Sequence, residues 1–239
     1  MRAVVAVQAR LSSSRLPRKI LADLGGRPML AQIVRRCRAT GLAVTVSCPP
    51  DDALELAKAL PGVDVVAGPE TDILMRLLLV AAHAKATHVV RVTADCPLVP
   101  HDLIKAAVEG MGSWPCVQNW RPRTFPDGFD FEVWDVAFLV SLRAKMKPEN
   151  YEYFAQWCLD HKLPNLPLTY AGKNMMNMRL TVDYQEDLDV VRKIYQAMGE
   201  EIWESGAVVR WCEEHPEVMA LNKDRVDGLF GAKANVPQG

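Results

Sequence analysis

Residues 1–110 alternate short β-branched runs with longer segments of helical period, and that alternation narrows the possible folds more than any other feature. Ala3–Gln8 (AVVAVQ) reads as a strand, and residues 29–40 (MLAQIVRRCRAT) read as an amphipathic helix. Strands are predicted at 43–47 and 63–66, with a helix over 51–60 between them that Asp51 is placed to cap. Residues 72–86 are apolar round most of their circumference, which predicts a buried helix. His88–Thr93 (HVVRVT) gives a fourth strand and 101–111 a further helix. Such a pattern builds βαβ units and a parallel sheet covered on both faces. Right-handed crossovers then gather the strand ends on one edge, where open α/β sheets bind their ligands.

The middle of the chain breaks the alternation. Residues 115–119 and 128–134 read as strands around a loop rich in Arg, Pro and Asp, followed by helices over 136–145 and 149–161. The pattern resumes with a strand at 178–182, a helix at Gln185–Met198 and a last helix at 204–215. With no internal repeat or low-complexity linker, the expectation is one α/β domain over 1–221. Residues 115–170 form its acceptor-side subregion, and 222–239 form a tail that frays or crosses to a partner.

Composition excludes several classes. With 28 basic and 29 acidic residues, the net charge is −1, so no general attraction to nucleic acid or membrane is expected. Any phosphate must be met by local positive charge. Six scattered cysteines lack CxxC or zinc spacing and read as reduced core thiols of a cytoplasmic protein. The first apolar run is too short for a signal peptide, and no run of the length of a membrane span occurs.

Chemistry concentrates after the strands. Gln8-Ala9-Arg10-Leu11-Ser12-Ser13-Ser14-Arg15-Leu16-Pro17-Arg18-Lys19 gathers cations and hydroxyls at the end of the first strand. Guanidinium groups grip phosphate oxygens bidentately, lysine adds a point charge, and loop N–H groups can complete an anion nest. The loop is neither a Walker A sequence nor a GxGxxG. Asp95, in ADCPL after the fourth strand, can hold Mg²⁺ or cap a turn before Pro97. Asp183, between 178–182 and the following helix, can do the same or serve as a helix cap. In PDGFDFE, alternation sets Asp130 and Glu132 on one strand face, toward acceptor hydroxyls or toward solvent.

In order and spacing, QARLSSSRLPRK, GGRPML, TDILMR, VVRVTADCPLV, PDGFDFEV and RLTVDYQEDLDVV resemble the cytidylyltransferases that make CMP-activated sugar acids. The resemblance covers nearly the whole chain. It is strongest to the spore-coat-polysaccharide-biosynthesis branch, kin to the acylneuraminate and CMP-Kdo synthetases. It implies a single-domain mixed, mostly parallel sheet flanked by helices, of the nucleotide-diphospho-sugar transferase (GT-A-like) fold, and a homodimer. It also implies that Gln8, Ala9, Arg10, Ser13, Arg15, Lys19, Ser47 and Arg76 bind the nucleotide, with Arg10, Ser13, Arg15 and Lys19 on the triphosphate. Asp95 and Asp183 would hold Mg²⁺; Arg15, Lys19 and Asp95 would carry the chemistry; Asp130 and Glu132 would meet the acceptor. The chain departs from the pattern in three places. Arg18 stands where relatives usually have Gly, Ser47-Cys48-Pro49-Pro50-Asp51 replaces an ATxxD base loop, and Glu149-Asn150-Tyr151 replaces an EHVT-like stretch.

The implied reaction is attack by an acceptor oxygen on the α-phosphorus of CTP, with pyrophosphate leaving, in the synthesis of a surface polysaccharide or glycan precursor. A glycosyltransferase using an NDP-sugar on this fold would show a DxD motif where only Asp95 stands. A non-catalytic nucleotide-binding subunit would bind nucleotide without releasing pyrophosphate. No general base is evident, since none of the five histidines shows a carboxylate partner in the sequence pattern.

Overall fold

β1 (Ala3–Gln8) runs through the middle of the sheet, and every residue after Ala3 is buried, as its near-continuous apolar run requires. The computed structural model describes residues 1–170, 172, 175–199 and 201–225. On one side of β1 lie β2 (Ala43–Cys48) and β3 (Asp64–Ala67); on the other lie β4 (His88–Thr93), β6 (Phe131–Asp135), β5 (Cys116–Gln118) and β7 (Leu166–Pro167). The strand order is β3-β2-β1-β4-β6-β5-β7. β1, β2, β3 and β4 are mutually parallel, as the alternation predicts.

β6 runs antiparallel to both β4 and β5. Val92 near the end of β4 therefore faces Phe131 at the start of β6. The reversal carries the loop before β6, residues 126–130, to the same sheet edge that holds the loops after β1 and β4. This strand starts later than its sequence pattern predicts, because Gly128 stands at φ +103° and breaks the extended run.

Strand alternation sorts the core onto two faces. Val5, Val7, Val90 and Val92 pack on one side with α1 (Met29–Arg38), α4 (His101–Gly110), α7 (Gln185–Met198) and α8 (Ser205–Glu214). Val4, Ala6 and Val89 pack on the other with α3 (Ile73–Ala84), α5 (Val136–Arg143) and α6 (Phe154–Asp160). α2 (Pro50–Ala59) begins one residue earlier than expected: Pro50, with its ring-fixed φ, takes the first helical position. Asp51 is thus not the cap but one of two acids in the first turn. α3 is capped by Asp72, which accepts from Met75 N at 2.8 Å.

The expected helix over 149–161 splits into a 3₁₀ turn at Pro148–Asn150 and α6. The expected strand at 178–182 is an extended segment joined to the molecule by loops rather than by a sheet strand. Asp127 N donates to Met178 O (2.9 Å), Leu180 N to Asp127 O (2.6 Å), and Val182 N to Asp95 O (2.8 Å). α9 (Pro216–Met219) follows α8, and Asn222, the first residue of the expected tail, is buried with its amide donating to Arg179 O and Asp187 Oδ1. Residues 226–239 of that tail lie outside the described residues.

All six cysteines are buried and free, and burial pushes Cys37, Cys158 and Cys212 up to about 12, which leaves them inert as nucleophiles. Among the described residues no helix is long and apolar enough to cross a membrane.

Candidate nucleotide site

The loop after β1 is tied down at both ends. Ala9 N donates to Ser47 O (2.9 Å), Leu11 N to Asp52 Oδ2 (2.8 Å), and Ser13 Oγ accepts from Leu16 N (3.5 Å). Arg10 and Arg15 stay exposed on the loop. Arg18 adopts a left-handed conformation, φ 57°, and turns its guanidinium away to pair with Glu55 on α2. A positive φ is where glycine is easiest to accommodate, and Arg18 holds it while its charge is spent on Glu55 rather than on the loop.

Lys19 opens the 3₁₀ turn that follows and reaches across the strand ends. Its Nζ lies 2.8 Å from Asp183 Oδ1, 2.6 Å from Val182 O and 3.8 Å from Asp95 Oδ2. Arg15 Nη2 contacts the same Asp183 Oδ1 at 2.7 Å and stacks over the Tyr184 ring. Burial by itself raises the Asp183 carboxyl, but Lys19, Arg15 and Arg179 outweigh it and hold that group below the ordinary aspartate value. Thus two carboxylates from separate loops face one ammonium at the sheet edge, beside the cationic loop.

Behind this edge, Gln8, Ser47 and Arg76 are brought together on the α3 side of the sheet. Gln8 and Ser47 are register partners, and Arg76 comes from α3. All three are buried, and among the described residues Gln8 Nε2, Ser47 Oγ, and Arg76 Nε and Nη1 meet no hydrogen-bond partner. Such groups carry an uncompensated desolvation cost of about 1–3 kcal/mol each. Burial pulls the Arg76 guanidinium below its usual value.

Asp130 and Glu132 do not share a face as expected. Glu132 lies inside the sheet, accepting from Arg91 Nη1 (2.8 Å) and Trp134 Nε1 (2.9 Å), while Arg91 Nε donates to Gln8 Oε1 (2.7 Å). Asp130 precedes the strand and pairs with Arg123 Nη2 at 3.3 Å. Burial pushes the Asp130 carboxyl up to about 7, with Arg123 opposing the shift and Asp127 adding to it. The folded state therefore binds this proton more tightly than the unfolded chain does. Its stabilising contribution is full below 3.8 and is lost as pH rises through about 7. Asp130→Asn is expected to flatten that decline, gaining about 1–3 kcal/mol on wild type between pH 5 and pH 8. Parallel melting curves over that range check it, and equal slopes for the two proteins count against it.

Residues 4–113 match the family model for cytidylyltransferases. Over that stretch the chain is similar to the cytidylyltransferases. The chain is 27% identical over 212 residues to the spore coat polysaccharide biosynthesis protein SpsF of Bacillus subtilis, covering 81% of this chain and 86% of that one. It is 34% identical over 117 residues to the 3-deoxy-manno-octulosonate cytidylyltransferase of Agrobacterium fabrum, 46% of each chain. The match spans about half the length of the proteins of that name that it resembles. A cytidylyltransferase structure from Leptospira borgpetersenii superposes with a TM-score of 0.85 at 23% identity, covering 95% of this chain and 99% of that one. A CMP:2-keto-3-deoxy-manno-octonic acid synthetase complexed with CTP gives 0.65 at 18% identity, covering 83% and 100%. Both likenesses show the fold, a mixed, mostly parallel sheet flanked by helices.

Several residues around the candidate site escape a reading of the sequence. Arg179 donates from Nε and Nη2 to Asp187 (2.9 and 3.0 Å), from Nη1 to Asp127 (3.0 Å), and from Nη2 to Asp183 (3.4 Å). Arg123 joins Asp127 (3.0 Å) to Asp130. The i, i+4 spacings of Arg179–Asp183 and Asp183–Asp187 were visible, but the acids read equally well as first-turn helix residues. Two histidines also have carboxylate partners that the sequence pattern hid: His83 with Asp64 at 3.0 Å and His88 with Asp135 at 3.7 Å, both far along the chain from each other.

Proposed function

We propose that this chain transfers CMP from CTP to a sugar acid or related small acceptor, releasing pyrophosphate, with Mg²⁺ as cofactor, in the making of a polysaccharide or glycan precursor. The observation that carries the reading is the Lys19 ammonium set between Asp95 and Asp183 beside the cationic loop. The name of the Agrobacterium relative, a 3-deoxy-manno-octulosonate cytidylyltransferase, supports the class of acceptor, and the CTP held by a fold neighbour supports the donor.

The donor set fits a hard divalent cation: two carboxylates face one point, and Mg²⁺ commonly takes one or two carboxylates with water and phosphate oxygens completing its shell. Bound to Asp95 and Asp183, Mg²⁺ would supply charge neutralisation at the α-phosphate. Arg10, Ser13 and Arg15 bind the triphosphate from the loop. Lys19 is released from Asp183 toward the phosphates as the anionic nucleotide arrives, and there it offsets charge on the departing pyrophosphate. In the transfer, an acceptor hydroxyl oxygen forms a bond to the α-phosphorus while the bond to the α–β bridging oxygen breaks, pyrophosphate leaves with that oxygen, and the hydroxyl proton passes to solvent water. Such a displacement needs alignment and charge more than covalent help.

A pyrophosphate-release screen tests the reading by crossing four nucleoside triphosphates with 3-deoxy-manno-octulosonate, nonulosonates, aminosugars and phosphorylated small acceptors. Release with CTP and a sugar acid, dependent on Mg²⁺, is the expected result. Nucleotide binding without release from any combination would overturn it.

A further inference from the structure

Arg179 occupies a position that neither the phosphate loop nor the Asp95–Asp183 pair explains. Its guanidinium is almost fully enclosed, and it meets three carboxylates at once: Asp187, Asp127 and Asp183. Burial alone would lower this guanidinium; its hydrogen bonds and charge contacts with Asp187, joined by the charges of Asp127 and Asp183, raise it instead. Asp187 is wholly buried and accepts further from Asp183 N and Tyr184 N, each at 3.0 Å. The same aspartate therefore grips the guanidinium and the backbone on which Asp183 rides.

A second contact joins the same two segments independently. Asp127 and Arg179 form a β-bridge, and Gly128 lies so close to the 178–182 segment that an added Cβ would stand 2.5 Å from Leu180 C and Thr181 N. Only glycine allows backbones to approach this closely at φ +103°. Asp127 and Arg179 are 52 positions apart in the chain, yet side chain and backbone both lock them together.

We propose that Arg179 and Asp187 are positioning residues: they clamp the loop Asp127-Gly128-Phe129-Asp130 to the segment bearing Asp183. The acceptor-side carboxylates and the cation-binding carboxylate then hold one fixed spacing. The cation-binding half of this statement rests on the function proposed above. A guanidinium suits the task because its planar fork reaches three partners, whereas an ammonium is a single point of charge.

The test uses the full chain as wild type, Arg179→Lys, and Arg192→Lys, a control whose side chain lies at the surface of α7, the helix that carries Asp187. Lysine keeps one buried charge, so Arg179→Lys is the variant expected to stay folded. Amide hydrogen exchange is followed in peptides covering 123–131, 178–184 and, as reference, 88–93. Binding of Mn²⁺ alone is measured by electron paramagnetic resonance. In Arg179→Lys, exchange is expected to rise at least tenfold in both 123–131 and 178–184 and to stay unchanged in 88–93. Mn²⁺ binding is expected to weaken by roughly 10- to 100-fold, the scale seen when a group supporting a metal ligand is changed. Arg192→Lys leaves both measures at wild-type values.

A rise in only one of the two peptides overturns the clamp. A rise in both with unchanged Mn²⁺ binding overturns its positioning role and leaves a structural tie. Absence of pyrophosphate release by wild type would instead sink the nucleotidyl-transfer reading, and the paired exchange measurement would still decide the clamp.

Discussion

Asp95→Asn is expected to lower Mg²⁺-dependent pyrophosphate release by roughly 10³-fold or more, about 4 kcal/mol of transition-state stabilisation. The asparagine keeps the shape of the side chain but loses the negative charge that faces Lys19 and would face Mg²⁺. The fold is expected to persist, because, Lys19 apart, the Asp95 side chain makes only a long contact with Cys96 Sγ (3.5 Å), which an asparagine oxygen can also accept, and its stronger bonds come from its backbone. Its carbonyl accepts from Val182 N at 2.8 Å and from Thr181 Oγ1 at 3.2 Å, and both bonds survive the substitution. Steady-state turnover read beside a melting curve separates the two effects. Turnover within tenfold of wild type would remove Asp95 from the reaction, and a collapse of the melting transition would mean that the loss of activity reports on folding.

Arg179→Met is expected to produce the largest loss of stability of any single change at this edge, about 3–5 kcal/mol. Methionine fills much of the volume but strands Asp187 without its guanidinium in a fully buried position, with Asp127 and Asp183 also deprived. Urea denaturation measures the loss. Removing the orphaned charge as well, in a double variant with Asp187→Leu, is expected to recover little. Asp187 also accepts from Asp183 N, Tyr184 N and the Asn222 amide, so its deletion takes an acceptor from all three, though the Asn222 amide keeps its bond to Arg179 O. Full recovery in the double variant would show that Asp187 serves only as a counter-ion.

These two residues mark the limits of what the sequence discloses. The parallel half was legible because each strand there is a buried apolar run with a helix after it; β1, β4 and α7 fall where their patterns place them. The position of Asp95 was legible because a charged residue just after such a strand lands on the sheet edge, and that of Lys19 because it closes the cationic loop that follows β1. The direction of β6 was not, since a period of two tells which faces a strand shows and nothing of which way it runs. β7 is two residues long and carries no pattern at all. Residues 178–182 look like a strand because they are extended and apolar on alternate positions, but their hydrogen bonds go to two loops. Arg179 was hidden for a different reason. Its partners lie four, eight and fifty-two positions away, and only the packing of Gly128 against Leu180 brings them together.

The antiparallel placement of β6 has a consequence for redesign. Strands β3, β2, β1 and β4 form a continuous sheet on one side, and β6, β5 and β7 complete it from the other, so the proposed donor and acceptor surfaces would meet along a single seam between β4 and β6. A designer seeking a new acceptor would take the stretch from 115 to 170 as the portable unit. The clamp crosses that boundary, because Asp127 lies within it and Arg179 and Asp187 lie beyond. The transplantable piece is the longer one, from 115 through 187, which carries both halves of the clamp and delivers Asp183 with them.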